Sequence, residues 1–283
     1  MKIYKFERFS LAVIIHIMKI AIIGAGNIGS ALAFGLAQGK LIRNEDIRIS
    51  NPHPDKLERI RARVPEIHTT TSNRECIQGA DVVVLAVKPW HLHALADQLK
   101  EILDYKQQIV CSMIGGAGLT ELKGLFLRDG EVPVLYYLIP NTALATCQSM
   151  TFMSSAGASA EQDAAMLALF KELGDAMLVE ERLMNAGMVL ASCGIAFALR
   201  YIRANTEGGV SMGFKPADAQ RIVAQTMIGA ASLLGTGDSH PEAEIDKVTT
   251  PGGLTIRGLN AMERKGFTAS ILEGLMASVP NKA

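Results

Sequence analysis

The chain has 283 residues, 49% of them apolar, so it is long enough to bury a sizeable core and to divide into two domains. Its 28 basic and 28 acidic residues cancel and alternate along the sequence, which excludes the basic surface that a nucleic-acid backbone requires. Cys76, Cys111, Cys147 and Cys193 form neither a CxxC pair nor a compact ligand set, and the six histidines show no metal-ligand spacing; the expectation is no metal and a reducing, cytoplasmic compartment.

Residues 1–17 precede a second methionine, Met18. Their apolar run at 11–15 is too short for a signal peptide, and a start-site extension, an extra strand and a disordered tail all fit. From Met18 onward, strand and helix patterns alternate. Residues 19–23 are β-prone, and after a glycine-rich turn Ala31, Leu32, Phe34, Gly35 and Leu36 continue a helix that Gly39 can end. A second strand is expected at 46–50 and an amphipathic helix at 54–64, with Leu57 and Ile60 on its apolar side. Further strands are expected at 67–69, 81–86, 108–112, 132–139 and 177–179, and helices at 74–78, 91–99, 120–126 and 160–173. This rhythm predicts a mainly parallel sheet with helices on both faces.

After residue 181 the strand rhythm stops. Helices are expected at 182–205, 215–234, 241–247, 255–265 and 267–278, interrupted by Gly208-Gly209 and Gly235-Thr236-Gly237. The predicted organisation is an α/β, Rossmann-like dinucleotide-binding domain over 18–180, followed by an all-α dimerisation and substrate domain over 181–283. Two stretches imitate membrane spans. Residues 20–39 carry no ionisable side chain but contain a strand and a glycine turn; residues 183–199 are uncharged but just short of a comfortable span. A helix buried against another subunit accounts for the second, and a buried intramolecular helix is the alternative; no membrane is expected.

The first chemical feature is Gly24-Ala25-Gly26-Asn27-Ile28-Gly29, between a strand and a helix. In this context Gly24 permits the tight turn, Gly26 leaves room for a pyrophosphate, and Gly29 brings helix and sheet together, while the amides of the helix N-terminus face the phosphates. The second strand ends in Ser50-Asn51-Pro52-His53, without the acidic residue that accepts from a ribose 2′-hydroxyl. A neutral end with Lys56 on the next helical turn favours NADPH over NADH, unless Asn51 merely starts that helix and Lys56 is a solvated charge. The strand at 81–86 leads through Val87 to Lys88-Pro89, where Lys88 faces either phosphate or water. In Pro140-Asn141-Thr142 the Asn141 amide either orients a nicotinamide or orders its own backbone. The segment Thr249-Thr250-Pro251-Gly252-Gly253-Leu254-Thr255 offers backbone donors at a helix start and the Thr255 hydroxyl to a carboxylate, or is only a turn and cap.

These residues together resemble the pyrroline-5-carboxylate reductase family. The matching pieces are IAIIGAGNIGSAL at 20–32, VVVLAVKP at 82–89, SMIGGA at 112–117, IPNT at 139–142, EGGVSMGF at 207–214 and VTTPGGLTIRGL at 248–259. The resemblance implies NAD(P)H-dependent reduction of a cyclic imine carboxylate, 1-pyrroline-5-carboxylate, to L-proline, by a homodimer of interlocked C-terminal helices that sometimes forms a larger ring. It places pyrophosphate at 24–29, adenosine ribose near Asn51 and Asn73, and the nicotinamide half along Val87, Lys88, Pro89 and 140–142. The substrate carboxylate and ring nitrogen region would then meet Thr250, Gly252, Gly253 and Thr255. The chain departs from the common pattern in three places. Ala191-Ser192-Cys193-Gly194-Ile195-Ala196 stands where Ser-Gly-Ser-Gly-Pro-Ala is usual, Asn185 replaces an acidic residue, and Ala143 replaces a proline. These changes leave room for a related cyclic imine as substrate.

The chemistry needs little from the protein beyond orientation, because a protonated imine is already electrophilic. Thr255, with ordered water, is the group nearest to a catalytic role in this reading. A hydroxyacid dehydrogenase would carry a catalytic lysine on the long helix, and 182–205 contains none. A catalytically inactive nucleotide-binding scaffold is the non-enzyme alternative.

Overall fold

The computed structural model describes residues 18–235 and 239–280. The N-terminal extension at 1–17 and the Thr236-Gly237 interruption lie outside the described residues. The chain divides into one compact unit ending at Ser192 and a second beginning at Cys193. This boundary falls inside the helical stretch instead of at 180/181, because the first turns after Glu181 pack on the sheet: Met184 belongs to one of its cores.

The first unit is an eight-stranded sheet in the order β3-β2-β1-β4-β5-β6-β7-β8. Its strands are β1 (Ile20–Ile23), β2 (Ile47–Ser50), β3 (His68–Thr70), β4 (Val82–Leu85), β5 (Ile109–Ser112), β6 (Val134–Ile139), β7 (Ser149–Ala156) and β8 (Gly174–Leu178). Between them run α1 (Asn27–Gln38), α2 (Pro54–Arg63), α3 (Asn73–Ile77), α4 (Leu92–Lys100), α5 (Leu119–Leu125) and α6 (Ala160–Lys171). Strands β1 to β6 pair in parallel, and every residue of β1 and β4 is buried. Alternate residues serve opposite faces. Ile20, Ile22, Val82 and Val84 join Leu32, Leu36, Leu57 and Phe170 in one core, while Ala21, Ile23, Val83 and Leu85 join Leu95, Leu99, Leu122 and Phe126 in the other.

Strand β7 is absent from the sequence prediction, and it pairs antiparallel with β6. The connection from β6 holds a single 3-10 turn, Thr142–Thr146, too little chain for a parallel crossover. Its sequence, Ser-Met-Thr-Phe-Met-Ser-Ser-Ala, hides the strand because half its side chains are small and polar; Ser149 and Thr151 are nevertheless buried. Strand β8 then pairs parallel with β7 and starts three residues earlier than expected, at Gly174.

The first unit ends in α7 (Met184–Gly187) and a π-helical turn, Met188–Cys193, whose last residue is the first of the second unit. The regular elements described in the second unit are helices: α8 (Gly194–Ser211), α9 (Pro216–Leu234), α10 (Pro241–Lys247), α11 (Leu254–Glu263) and α12 (Phe267–Ala277). Gly208-Gly209 does not interrupt α8. A Cβ at Gly209 would stand 2.9 Å from the Ala219 Cβ, so this glycine lets α8 and α9 approach, and the helix ends later, where Gly213 takes a φ of 104°. Gly209 and Ala219 are the buried residues of this unit among those described, whereas Met212, Leu254 and Met276 are more than 70% exposed.

Candidate functional site

Because the chain reverses its direction of sheet growth after β3, the strand order 3-2-1-4-5-6 opens a crevice at the carboxyl ends of β1 and β4. A cleft of about 700 Å3 occupies it, lined by Gly24, Gly26, Asn27, Ile28, Asn51, Asn73, Val87, Lys88 and Pro89 among others. Nine of the predicted cofactor residues thus meet in one cavity within the first unit.

The glycines act as their chemistry requires. Gly24 has a φ of 110°, and its amide donates to the Ser50 carbonyl at 2.8 Å; a side chain there would strike the Ala86 carbonyl. A Cβ on Gly26 would meet nothing within 4 Å, so it borders the open cleft, and as the cap of α1 it leaves the amides of the first helical turn without an intrahelical acceptor. Gly29 does not line the cleft. A Cβ there would lie 1.9 Å from the Gly24 carbonyl oxygen and 3.1 Å from the Ala86 Cβ, so it sets the approach of α1 to the sheet. Its place is beneath the site, as a packing residue.

At the far end of β2 the Asn51 side-chain oxygen accepts from the His53 amide at 2.9 Å, and the Asn51 amide donates to the Thr70 carbonyl. Asn51 therefore both shapes the turn into α2 and borders the cleft, so the two alternatives for it are compatible. The Ser50 hydroxyl donates to the Asn73 side-chain oxygen at 2.7 Å, and the Asn73 amide donates to Gln98 at 2.9 Å, which fixes Asn73 in the wall. Below them burial pushes the Cys76 thiol up to about 12, keeping it neutral. His53, Lys56, Lys88 and His91 line the cleft, and among the described residues no carboxylate does. Neutral or basic walls without an acid suit an anionic dinucleotide.

Asn141 is not among the lining residues. Its side-chain oxygen accepts from the Ala143 amide at 2.9 Å, its nitrogen donates to the Ala191 carbonyl at 3.4 Å, and its backbone amide donates to the Ser149 hydroxyl at 3.1 Å. Only 8% exposed, it orders its own loop, and the neighbouring Thr142 reaches the cleft instead. The sequence reading missed His91, Gln98 and the pair Met113-Ile114 with Gly115. The last three follow β5 at the same sheet edge, so the edge rule that selected Lys88 would have found them; His91 and Gln98 depend on the rotation of α4, which carries no local signal.

The C-terminal motif lies in the second unit. Gly252 has a φ of 69°, and the Gly253 amide donates to the Thr250 carbonyl at 2.9 Å, so this amide is already engaged and the adjacent pair of free donors is reduced to Gly252. A Cβ on Gly253 would sit 2.4 Å from the Thr250 hydroxyl oxygen. Helix α11 begins at Leu254, one residue earlier than expected, with Gly253 as its cap. Thr255 is consequently in the first turn, exposed, and not the capping residue. That disposes of its simplest structural role.

A family model described as pyrroline-5-carboxylate reductase dimerisation matches residues 181–282, and one described as NADP oxidoreductase, coenzyme F420-dependent, matches residues 19–116. The chain is 36% identical over 271 residues to pyrroline-5-carboxylate reductase 1 of Dictyostelium discoideum, covering 92% of this chain but only 48% of that relative. It is 32% identical over 272 residues to pyrroline-5-carboxylate reductase 2 of the same organism, covering 92% of this chain and 90% of the relative. Among solved structures, the Plasmodium falciparum pyrroline carboxylate reductase with NADP bound aligns with a TM-score of 0.83 at 22% identity, over 94% of this chain and 97% of that one.

Proposed function

The chain belongs to the pyrroline-5-carboxylate reductase family, and from that premise we propose that it reduces 1-pyrroline-5-carboxylate to L-proline with NADPH, the last step of proline biosynthesis. The observation that carries this reading is the cleft at the carboxyl edge of the sheet, where the glycine turn, Asn51, Asn73 and Val87 to Pro89 converge without an acidic side chain among the described residues. NADP in the solved Plasmodium relative favours the same cofactor.

When bound, the cofactor supplies a hydride from its nicotinamide to the imine carbon. Gly24, Gly26 and the free amides of Asn27 and Ile28 receive the pyrophosphate. Asn51, His53, Lys56 and Asn73 surround the adenosine end, where the absence of an acid accommodates a 2′-phosphate and NADH remains usable. Lys88, Pro89, Met113, Gly115 and Thr142 wall the nicotinamide end and exclude water from it. In the second unit, the turn at Thr250, Gly252 and Gly253 and the first turn of α11 bind the substrate carboxylate, and the Thr255 hydroxyl holds the ring nitrogen region. The proton arrives on the substrate or through Thr255 and ordered water.

We assign the helices after residue 181 to a homodimer. The helix Glu181–Ser211 is long and apolar enough to cross a membrane by length and composition, yet it lies within the match to the dimerisation family, and a second copy would cover the apolar side chains that its unit leaves in water. The wide spacing of the four cysteines along the sequence is the basis on which we propose a cytoplasmic location.

The test is an assay of the purified protein that follows NADPH and NADH oxidation with pyrroline-5-carboxylate and with carboxylate-free pyrroline. The expected result is turnover of the acid in strong preference. Equal turnover of both would point to a broader imine reductase, and NADPH binding with no turnover of either would leave a scaffold.

A further inference from the structure

The π-helical turn Met188–Cys193 bridges the two loops that wall one end of the cleft. At its start, Met188 sits over the loop after β5: a Cβ placed on Gly115 would meet the Met188 sulfur at 3.9 Å. At its end, the Ser192 hydroxyl donates to the Pro140 carbonyl at 2.7 Å, and the preceding Ala191 carbonyl accepts from the Asn141 amide at 3.4 Å. Gly187 brings this segment onto the sheet, because a side chain there would lie 2.6 Å from the Phe152 ring. The wider π turn changes the direction of the carbonyls and side chains that follow it, which an uninterrupted α-helix would not do.

The loop held in this way is short; its far end is tied to α1, where the Gln38 side chain donates to the Ala145 carbonyl at 2.8 Å and the Cys147 thiol to the Gly35 carbonyl at 3.6 Å, and its near end is tied to itself and to β7. The Asn141 side-chain oxygen accepts from the Ala143 amide, the Asn141 backbone N–H donates to the Ser149 hydroxyl, and the Leu144 backbone N–H donates to the Asn141 carbonyl. Thr142, which reaches the cleft, has Asn141 on one side and Ala143 on the other. With Leu144 buried and Ala145 and Cys147 held by α1 on one side, the position of Thr142 is set on the other by how firmly Pro140 and Asn141 are anchored. At 192 the family pattern quoted above has glycine, which has no hydroxyl to give.

We propose that Ser192 is a positioning residue for the hydride transfer: its hydrogen bond to the Pro140 carbonyl fixes the 140–142 loop, and through Thr142 the wall against which the nicotinamide is held. This rests on the reductase reading above. Reaction rate depends steeply on the placement of the reacting carbon, whereas cofactor affinity is spread over the adenosine and pyrophosphate contacts. Loss of the hydroxyl should accordingly act on kcat and spare KM.

The experiment compares the full-length protein with Ser192→Ala and Ser192→Thr. Ser192→Ala should lower kcat about five- to tenfold, the effect of one lost hydrogen bond, with KM for NADPH unchanged within about twofold. Hydrogen exchange in the peptide spanning 140–148 should quicken about threefold or more, while the exchange of β1 and β4 stays at the wild-type rate. Ser192→Thr keeps the hydroxyl and should restore both readouts. Wild-type kinetics and wild-type exchange in Ser192→Ala would overturn the proposal while leaving the reductase reading standing. A fall in Tm with quickened exchange throughout the sheet would overturn it as well, since the residue would then serve the fold. Wild-type protein that binds NADPH but reduces no pyrroline-5-carboxylate would overturn the reductase reading, and this proposal with it.

Discussion

In the unit ending at Ser192, strands such as Ile20–Ile23 and Val82–Leu85 bury every side chain between two layers of helices; in the unit beginning at Cys193, Gly209 and Ala219 are the buried residues among those described. Both are rich in apolar residues, so composition does not separate them. The difference is geometric. A sheet covered on both faces closes its own core, while helices that pair through small residues turn their larger side chains outward, and Leu254, Met212 and Met276 remain in water until another surface covers them. The nucleotide half thus closes its core within one chain, and the proposed homodimer would complete the helical half by association.

The strongest way to break the first half of that comparison is at its two neighbouring glycines. Gly29→Ala should destabilise the protein by more than about 3 kcal/mol, because the added carbon meets backbone that cannot yield, and thermal unfolding would register it. Gly26→Ala should leave Tm nearly unchanged but weaken NADPH binding at least about tenfold, since its side chain enters the space beside the pyrophosphate. Fluorescence titration can follow this through Trp90, the only tryptophan in the chain, which adjoins Pro89 and His91 on the rim of the cleft. Equal NADPH affinity in the Gly26 variant would remove the glycine turn from the site.

The second half is probed at Thr255. Thr255→Val removes a donor with little change of shape and should cost about 1 to 3 kcal/mol of transition-state binding, a fall of about 5- to 150-fold in kcat/KM. Tm and NADPH affinity should hold, because Gly253 and not Thr255 caps α11. An unchanged kcat/KM would exclude Thr255 from the substrate site. Asn51→Asp sharpens the cofactor assignment: a carboxylate beside the 2′-phosphate should reduce kcat/KM with NADPH about tenfold or more relative to NADH, and equal losses with both would refute it.

Association predicts a smaller effect. Tenfold dilution should lower the unfolding midpoint by about 2 to 5 °C if the helical half folds against a second copy; a midpoint independent of concentration would argue against a dimer. The smallest expected effect concerns Cys76. Its folded pKa is raised from 9.0 to about 12, so the neutral thiol's contribution is fully present below pH 9 and is lost as pH rises toward 12. Cys76→Ala should flatten the decline of Tm across that window, and a curve identical to wild type would show that this thiol does not govern it.

Much of this molecule is written in local sequence. The alternating pattern from Met18 onward requires strands between helices, because branched apolar runs such as Val82–Leu85 fit a doubly covered sheet and little else. The Gly24 to Gly29 turn marks the nucleotide edge for the same reason that its backbone works there: φ of 110° and near-contact packing admit only glycine. Tertiary structure decided what depends on residues distant in the chain. Strand β7 exists because its backbone pairs with β6, Gly208-Gly209 stays helical because Gly209 meets Ala219, and Asn141 withdraws from the cleft because Ala143, Ser149 and Ala191 hold it. Periodicity reports which face of an element is apolar, but a polar side chain's role is set by which donor or acceptor stands within about 3 Å of it, and only the folded chain supplies that neighbour.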